Sequence, residues 1–310
     1  MGHRELIVIL GPTATGKSDV ALRVARRLNG RVIGADSIQV YRGLDAGACK
    51  SSAEARREVL HELIDVADPH ETFSAGLFAR MAGRAIEAAR RAGQVPIVVG
   101  GTGLYLRALL HGIAPMPPRN EDLRRELYDL ARASSAEELH RELEALDPVT
   151  ARRIGCRDLQ RIVRALEVVR LTGVPLSRHI SEHSFAPDRV PALKIGLTMD
   201  RALLYRRVDE RVDRIFEAGI VREVRGLLAA GLSPGANALK ALGYREVMAH
   251  LRGEIDLVRT IELVKRNTRR YARRQIIWFR RELDVRWLDA GAIDPETIAD
   301  NVAGIASTGA

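Results

Sequence analysis

The sequence predicts an α/β fold: a parallel sheet, covered by helices on both faces, interrupted by an all-helical insertion. Three observations carry this. Short apolar runs alternate with helical stretches over the first hundred residues. A glycine-containing loop joins the first run directly to the first helix. Between about residues 115 and 190 the strand pattern gives way to helices alone.

Residues 5–10, including Leu6-Ile7-Val8-Ile9-Leu10, read as a fully buried strand. Val20, Ala21, Val24, Ala25 and Leu28 then share one helical face. Arg31 to Ala35 is a second strand, and an alanine-rich helix over roughly residues 75–91 precedes a third at Val95 to Val99. Ala114-Pro115-Met116-Pro117-Pro118 breaks any regular element. Helices follow from Glu121 to about Leu171, with a turn at Asp147-Pro148, until Gly173-Val174-Pro175 stops the last. Pro191 to Thr198 reads as a strand again, long helices run to about Leu283, and Val285 to Leu288 reads as a closing strand. The expected domains are therefore 1–114, the first part of the core; 115–190, the insertion; and 191–310, which completes the core. Ala306 to Ala310 are expected to fray.

A 310-residue chain that is 46% hydrophobic has ample material for a core. The formal net charge of +9 favours a polyanionic partner. Cys49 and Cys156 stand far apart, in no metal-ligand spacing, and fit a reducing compartment. The N-terminal apolar run is too brief for a signal sequence or a membrane span. The expectation is a soluble, cytoplasmic protein with no membrane contact.

Gly11-Pro12-Thr13-Ala14-Thr15-Gly16-Lys17-Ser18 fits the P-loop pattern between a strand and a helix, so the fold is read as a P-loop parallel-sheet core with an all-helical insertion domain. In such a loop successive N–H groups converge on an anion, and the helix N-terminus adds its dipole. Lys17 supplies a point charge and Ser18 a ligand for Mg²⁺. The loop recognises a diphosphate without saying what is attached to it. Asp36 follows the second strand and so faces the P-loop, suited to hold Mg²⁺ or to act as a general base. A turn aspartate capping a helix is the ordinary alternative. Gly100-Gly101-Thr102-Gly103 follows the third strand; its glycines would let backbone approach a ligand, and Thr102 brings a hydroxyl to the same crevice. No apolar run here ends in the aspartate that P-loop ATPases often use for Mg²⁺.

From Lys265 to Arg281 there are eight basic residues and no acidic one, with Tyr271, Trp278 and Phe279 interleaved. Such a helix repels itself unless an anion faces it, which favours nucleic acid over a solvated face. In the insertion, Leu159, Ile162, Val163, Leu166 and Val169 form an apolar face, while Arg157, Arg161 and Arg164 share another suited to phosphates. Gln160 is placed to read a base edge.

Several segments together resemble the tRNA dimethylallyltransferases (tRNA isopentenyltransferases). They are 11–18, Asp-Ser-Ile-Gln-Val-Tyr-Arg-Gly-Leu-Asp at 36–45, His-Glu-Leu-Ile-Asp at 61–65, and Val-Gly-Gly-Thr-Gly-Leu-Tyr-Leu at 99–106. Arg-Ala-Leu-Glu at 164–167, Leu-Gly-Tyr-Arg-Glu at 242–246 and Thr-Arg-Arg-Tyr-Ala-Arg-Arg-Gln-Ile-Ile-Trp-Phe-Arg at 268–280 complete the set. The resemblance runs in order from about residue 5 to 289, and the combination is specific where the P-loop alone is not. It departs at Gly155-Cys156-Arg157 and at Ala48.

The resemblance implies transfer of the dimethylallyl group of dimethylallyl diphosphate to N6 of adenine 37 in tRNAs reading codons that begin with U. By position, Gly11 to Ser18 hold the donor diphosphate, Mg²⁺ is the cofactor, Asp36 is the general base and Thr102 contacts the reacting groups. The implied tRNA contacts are Asp36, Ser37, Ile38, Gln39, Thr102, Arg124, Gln160, Arg161, Ile162, Val163, Arg164, Arg245, Arg273, Arg274 and Gln275. Arginines 206, 207 and 211 are further candidates for pyrophosphate contact. A monomer is expected. The alternatives are a small-molecule kinase that binds ATP, a prenyltransferase acting on free adenine nucleotides, and a non-catalytic RNA-binding protein.

Overall fold

The computed structural model describes residues 6–183 and 190–308. The chain divides into two compact units, Met1–His111 with Asp188–Ala310, and Gly112–Pro187.

In the larger unit, β1 (Leu6–Leu10) leads through the P-loop into α1 (Lys17–Leu28) and β2 (Gly30–Gly34). α2 (Ala53–Glu58), a two-residue β3 (His61–Glu62), α3 (Ala75–Arg91), β4 (Val95–Gly100) and α4 (Gly103–Leu110) follow. The smaller unit holds α5 (Glu121–Ala133), α6 (Ala136–Leu146), α7 (Pro148–Ala151), α8 (Leu159–Thr172) and α9 (Leu176–Glu182). The larger unit resumes with β5 (Ala192–Thr198), α10 (Arg201–Glu217), α11 (Ile220–Ala229), α12 (Tyr244–Leu251) and α13 (Leu257–Phe279). It ends with β6 (Val285–Asp289) and α14 (Pro295–Thr308).

The sheet runs β3-β2-β4-β1-β5-β6, and every pair is parallel. β1 lies at its centre, so all five of its residues are buried, which explains the unbroken apolar run. Its side chains alternate between two cores. Leu6, Val8 and Leu10 join Phe78, Tyr105 and Phe279 on one face; Ile7 and Ile9 join Val20, Val24 and Leu197 on the other. From β1 the chain crosses past β4 to reach β2, whereas β4 connects onward to β5 on the opposite side. A crevice therefore opens at the carboxyl ends of β1 and β4, where the P-loop and the Thr102 loop emerge.

Two features depart from the sequence expectation. Ala306 to Thr308 do not fray: α14 continues to Thr308 and packs on α1, burying Ile298, Ala299 and Val302 completely, while Gly309 and Ala310 lie outside the described residues. Short β3 extends the sheet beyond β2, a strand too brief to leave a periodic signal. Lys194 in β5 is 2% exposed, its charge met by Glu282 Oε1 at 3.0 Å and Leu283 O at 3.1 Å. His111 Nε2 reaches the same carboxylate oxygen at 3.0 Å, so the chain just beyond α13 is pinned to the end of α4 and to the sheet.

In the smaller unit, Leu127, Leu139, Leu143, Ile162, Val163 and Leu166 form a separate core. Fully buried Glu167 organises its charged edge: it accepts from Asn120 N at 2.8 Å, Arg124 Nη1 at 3.2 Å and Arg164 Nη1 at 2.6 Å. Burial opposes ionisation, but the bonds from Arg164 and Asn120 and the charges of Arg164 and Arg124 hold the carboxyl below its usual range. A depressed folded pKa means that this stabilisation is present above the ordinary carboxylate range and is lost as pH falls through the folded value. Replacing Glu167 with Ala leaves Arg124 buried without its counter-ion. The expected result is destabilisation of about 3 kcal/mol, seen as a lower urea midpoint at neutral pH, with the difference from the parent shrinking in acid.

Candidate active site

The P-loop owes its shape to local strain that the sheet supports. Gly11 has φ +140°, and a Cβ there would lie 2.4 Å from Leu197 O of neighbouring β5, so only glycine fits. Ala14 has φ +67°, an unusual conformation for a residue with a side chain. Buried Thr15 donates its hydroxyl to Pro12 O at 2.9 Å and braces the loop from below. Lys17 and Ser18 open α1, so their amides are among the first four N–H groups that a helix leaves without internal acceptors.

Thr13, Gly16, Lys17, Ser18, Asp36, Gln39, Arg211, Tyr271 and Gln275 line a cavity of about 220 Å³. Lys17 Nζ folds back to donate to Pro12 O at 2.6 Å. Burial, and then the nearby Arg211 guanidinium, lower its pKa to about 7, against a smaller opposing pull from Asp36. An anion bound between Lys17 and Arg211 would favour the charged form of Lys17. Of the three arginine candidates in α10, Arg211 is the one that lines this cavity.

Asp36 Oδ1 accepts from Ile38 N at 2.8 Å and Gln39 N at 3.3 Å, so the turn-capping role is real. It does not exclude chemistry, because Asp36 also lines the cavity. Ser37 N donates to Thr102 Oγ1 at 3.1 Å, and this bond brings the Asp36 and Thr102 loops together. Gln39 uses its Nε2 to hold the Ala48 and Cys49 carbonyls, at 3.2 and 3.3 Å.

A second cavity, of about 210 Å³, adjoins the first and shares Thr13, Asp36, Arg211 and Tyr271 with it. Its remaining wall is mainly apolar, with Ile38, Ala48, Val212, Ile215, Ile220, Leu242 and Val264. Tyr271 stands between the two; burial, then the Asp36 charge, push its phenol up to about 12, so it stays protonated.

Several sequence expectations change here. The glycines around Thr102 also make room for protein, while Gly100 and Gly101 still line the cavity. A Cβ on Gly100 would strike Ala35 O at 2.1 Å, one on Gly101 would meet Gln275 Nε2 at 2.4 Å, and one on Gly103 would meet Trp278 Nε1 at 2.3 Å. Gln275 is 6% exposed and its carboxamide is bonded on both sides within the protein. Arg124 is 6% exposed and paired with Glu167; Arg164 is held by Glu167 and by Pro117 O at 3.0 Å; Ile162 and Val163 are fully buried. The Ile162 and Val163 side chains are spent on packing and Arg124 on its ion pair, while Arg164 stays partly exposed. Gln160 and Arg161 are exposed on α8, Arg161 beside Asp158 at 3.3 Å.

The basic stripe is also partly neutralised, because Lys265 pairs with Asp213 and Arg269 with Asp209, both on α10. Arg266, Arg270, Arg273, Arg274, Arg280 and Arg281 remain exposed and have no acidic partner among the described residues. Arg245 is exposed beside Glu246 at 2.7 Å. The place of Tyr271 at both cavities and the bonds of Gln275 escaped the sequence reading. The available signal was a glutamine on the same helical face as Val264, Thr268 and Phe279, where an apolar residue is the norm.

A P-loop at the switch point of a parallel sheet, faced by a carboxylate and joined to a largely apolar cavity, marks a P-loop α/β enzyme. The IPP transferase family matches residues 39–282, and the isopentenyl transferase family matches residues 4–65. A tRNA dimethylallyltransferase of Geobacter metallireducens is 50% identical over 284 residues, 92% of each chain. The solved tRNA Δ2-isopentenylpyrophosphate transferase of Staphylococcus epidermidis superposes with a TM-score of 0.72 at 32% identity, over 98% of this chain and 99% of that one. A eukaryotic dimethylallyltransferase acting on tRNA superposes with a TM-score of 0.79 at 28% identity, over 99% of this chain and 79% of that one. The chain belongs to the tRNA dimethylallyltransferase family. The expected kinase, free-nucleotide and non-catalytic alternatives are set aside on this ground.

Lys17 is largely neutral above pH 7 in the free protein and must be protonated to serve a diphosphate. Binding of inorganic pyrophosphate at about pH 8 is expected to take up close to one proton beyond the ligand's own, by calorimetry in buffers of different ionisation enthalpy. A Lys17→Arg variant should lose that uptake, and affinity of the parent should fall as pH rises above 7.

Proposed function

We propose that the enzyme transfers the dimethylallyl group of dimethylallyl diphosphate to N6 of adenine 37 in tRNAs reading codons that begin with U. The observation that carries this reading is the pair of adjoining cavities, one cationic and one apolar, that share Thr13, Asp36, Arg211 and Tyr271. A diphosphate held by Lys17, the P-loop amides and Arg211 sends its allylic carbon toward the shared wall. A flat purine entering from the apolar side meets it there, beside Asp36 and Thr102. An adenine must leave its stack to do so, which requires a clamp on the flanking RNA. In the larger unit the exposed arginines of α13, with Arg245, suit that clamp; Gln160 and Arg161, exposed on the smaller unit, are separate candidates for RNA contact.

The adenine amine is a weak nucleophile because its lone pair is delocalised into the ring. As the N6–C1 bond forms and the C1–O bond breaks, Asp36 accepts the amine proton and diphosphate leaves with the bonding pair. Lys17 and Arg211 stabilise the charge that builds on the departing oxygens. The apolar wall excludes water that would otherwise capture the allylic carbon.

Mg²⁺ fits this site in a limited way. No group of three or more His, Cys, Asp or Glu side chains that could hold a metal exists among the described residues. Ser18 stands at the cavity with Asp19 and Asp36 nearby, which suits an ion held chiefly by phosphate oxygens and water. Bound there it would neutralise diphosphate charge. Among the described residues no helix is long and apolar enough to cross a membrane; a cytoplasmic monomer accords with a tRNA substrate.

The test is mass spectrometry of an anticodon stem-loop incubated with dimethylallyl diphosphate. A mass gain on adenine 37 is expected, with none on free AMP. Asp36→Ala should keep RNA affinity and lose transfer by at least about 100-fold. Full transfer by that variant would remove Asp36 as the base.

A further inference from the structure

We infer that Gln275 is a positioning residue, which sets the spacing between the diphosphate cradle and the Asp36–Thr102 side of the reaction; this rests on the prenyl-transfer reading above. Its carboxamide bridges two loops from different strands. Oε1 accepts from Thr13 N at 2.9 Å, and Nε2 donates to Gly101 O at 2.8 Å. The amide's orientation is not ambiguous, because a backbone N–H can meet only the oxygen and a backbone carbonyl only the nitrogen. The bridge is 6% exposed, so water does not readily replace it.

The two ends of the bridge matter. Thr13 lies within the P-loop and lines both cavities. Gly101 adjoins Thr102, whose hydroxyl accepts from Ser37, the neighbour of Asp36. A single chain of contacts thus runs from cradle to carboxylate, with Gln275 as its one side-chain amide. Gly101 is matched to it, since a Cβ would sit 2.4 Å from Nε2. One helical turn earlier, the Tyr271 phenol faces both Thr102 and Gln275. Glutamate could keep the acceptor half of this bridge but, when ionised, would turn an oxygen toward Gly101 O. When protonated it regains the donor.

The experiment is single-turnover transfer to the anticodon stem-loop by the parent chain, Gln275→Glu and Gln275→Met. Both variants should be slower by about 100-fold near pH 8, the cost expected of roughly 1 Å of misplacement. Relative to the parent at each pH, Gln275→Glu should recover at least about tenfold between pH 8 and pH 5.5, as its carboxyl protonates, while Gln275→Met stays flat. Dissociation constants for inorganic pyrophosphate and for the stem-loop should change less than about threefold. A role in stability alone would lower Tm and the active fraction but leave the single-turnover constant of the folded fraction unchanged, and that result would overturn the inference. So would a pH-independent Gln275→Glu ratio, or loss of pyrophosphate affinity in step with rate, which would confine Gln275 to the cradle. Absence of transfer by the parent chain would refute the prenyl-transfer reading itself.

Discussion

The site depends on the close approach of one face of a long helix to the carboxyl ends of β1 and β4. α13 lies against the P-loop and the Thr102 loop at the same time, with Gln275 bonded to both. That approach is possible only because Gly101 and Gly103 lack side chains where Gln275 and Trp278 arrive. Ala272 and Phe279 are buried in the two opposite cores, and Glu282 just beyond the helix meets Lys194 and His111. The helix is thus fixed along its length, and its outer face is left to carry unpaired arginines.

This division of labour reconciles two demands on one element. A stretch with eight basic residues in seventeen, Lys265 to Arg281, would be poorly tolerated if all of them faced one another in water. Asp209 and Asp213 on α10 neutralise the two that face that helix, and six remain outward. The inner face supplies Tyr271 and Gln275 to the cavities, while Arg273 and Arg274 stand one turn or less away on the surface. The exposed arginines and the cavity-lining residues therefore share a single helical support.

The smaller unit follows a different logic. Its α8 places Gln160 and Arg161 outward and Ile162 and Val163 inward within four residues, so the segment presents no continuous outer surface of side chains. Arg124 and Arg164 converge on Glu167, and their charges hold the unit's own edge together. A buried carboxylate with two guanidiniums and a backbone N–H is well satisfied, which is why the ion cluster is tolerated beside a small apolar core.

The linear sequence determined what adjacency and periodicity encode. β1 as a fully buried run, the P-loop between strand and helix, Asp36 and Thr102 at strand ends and the helical stretch from Glu121 each depend on residues close together in the chain. Tertiary structure decided every pairing across long sequence distances. Gln275 meets Thr13 across 262 residues, Arg211 reaches the P-loop from α10, and α14 finds α1 at the far end of the chain. A helical arginine or glutamine has the same local preferences whether it faces water, an acid or a backbone carbonyl. Burial and partner are properties of the packed fold, so these roles became legible only once the elements were brought together.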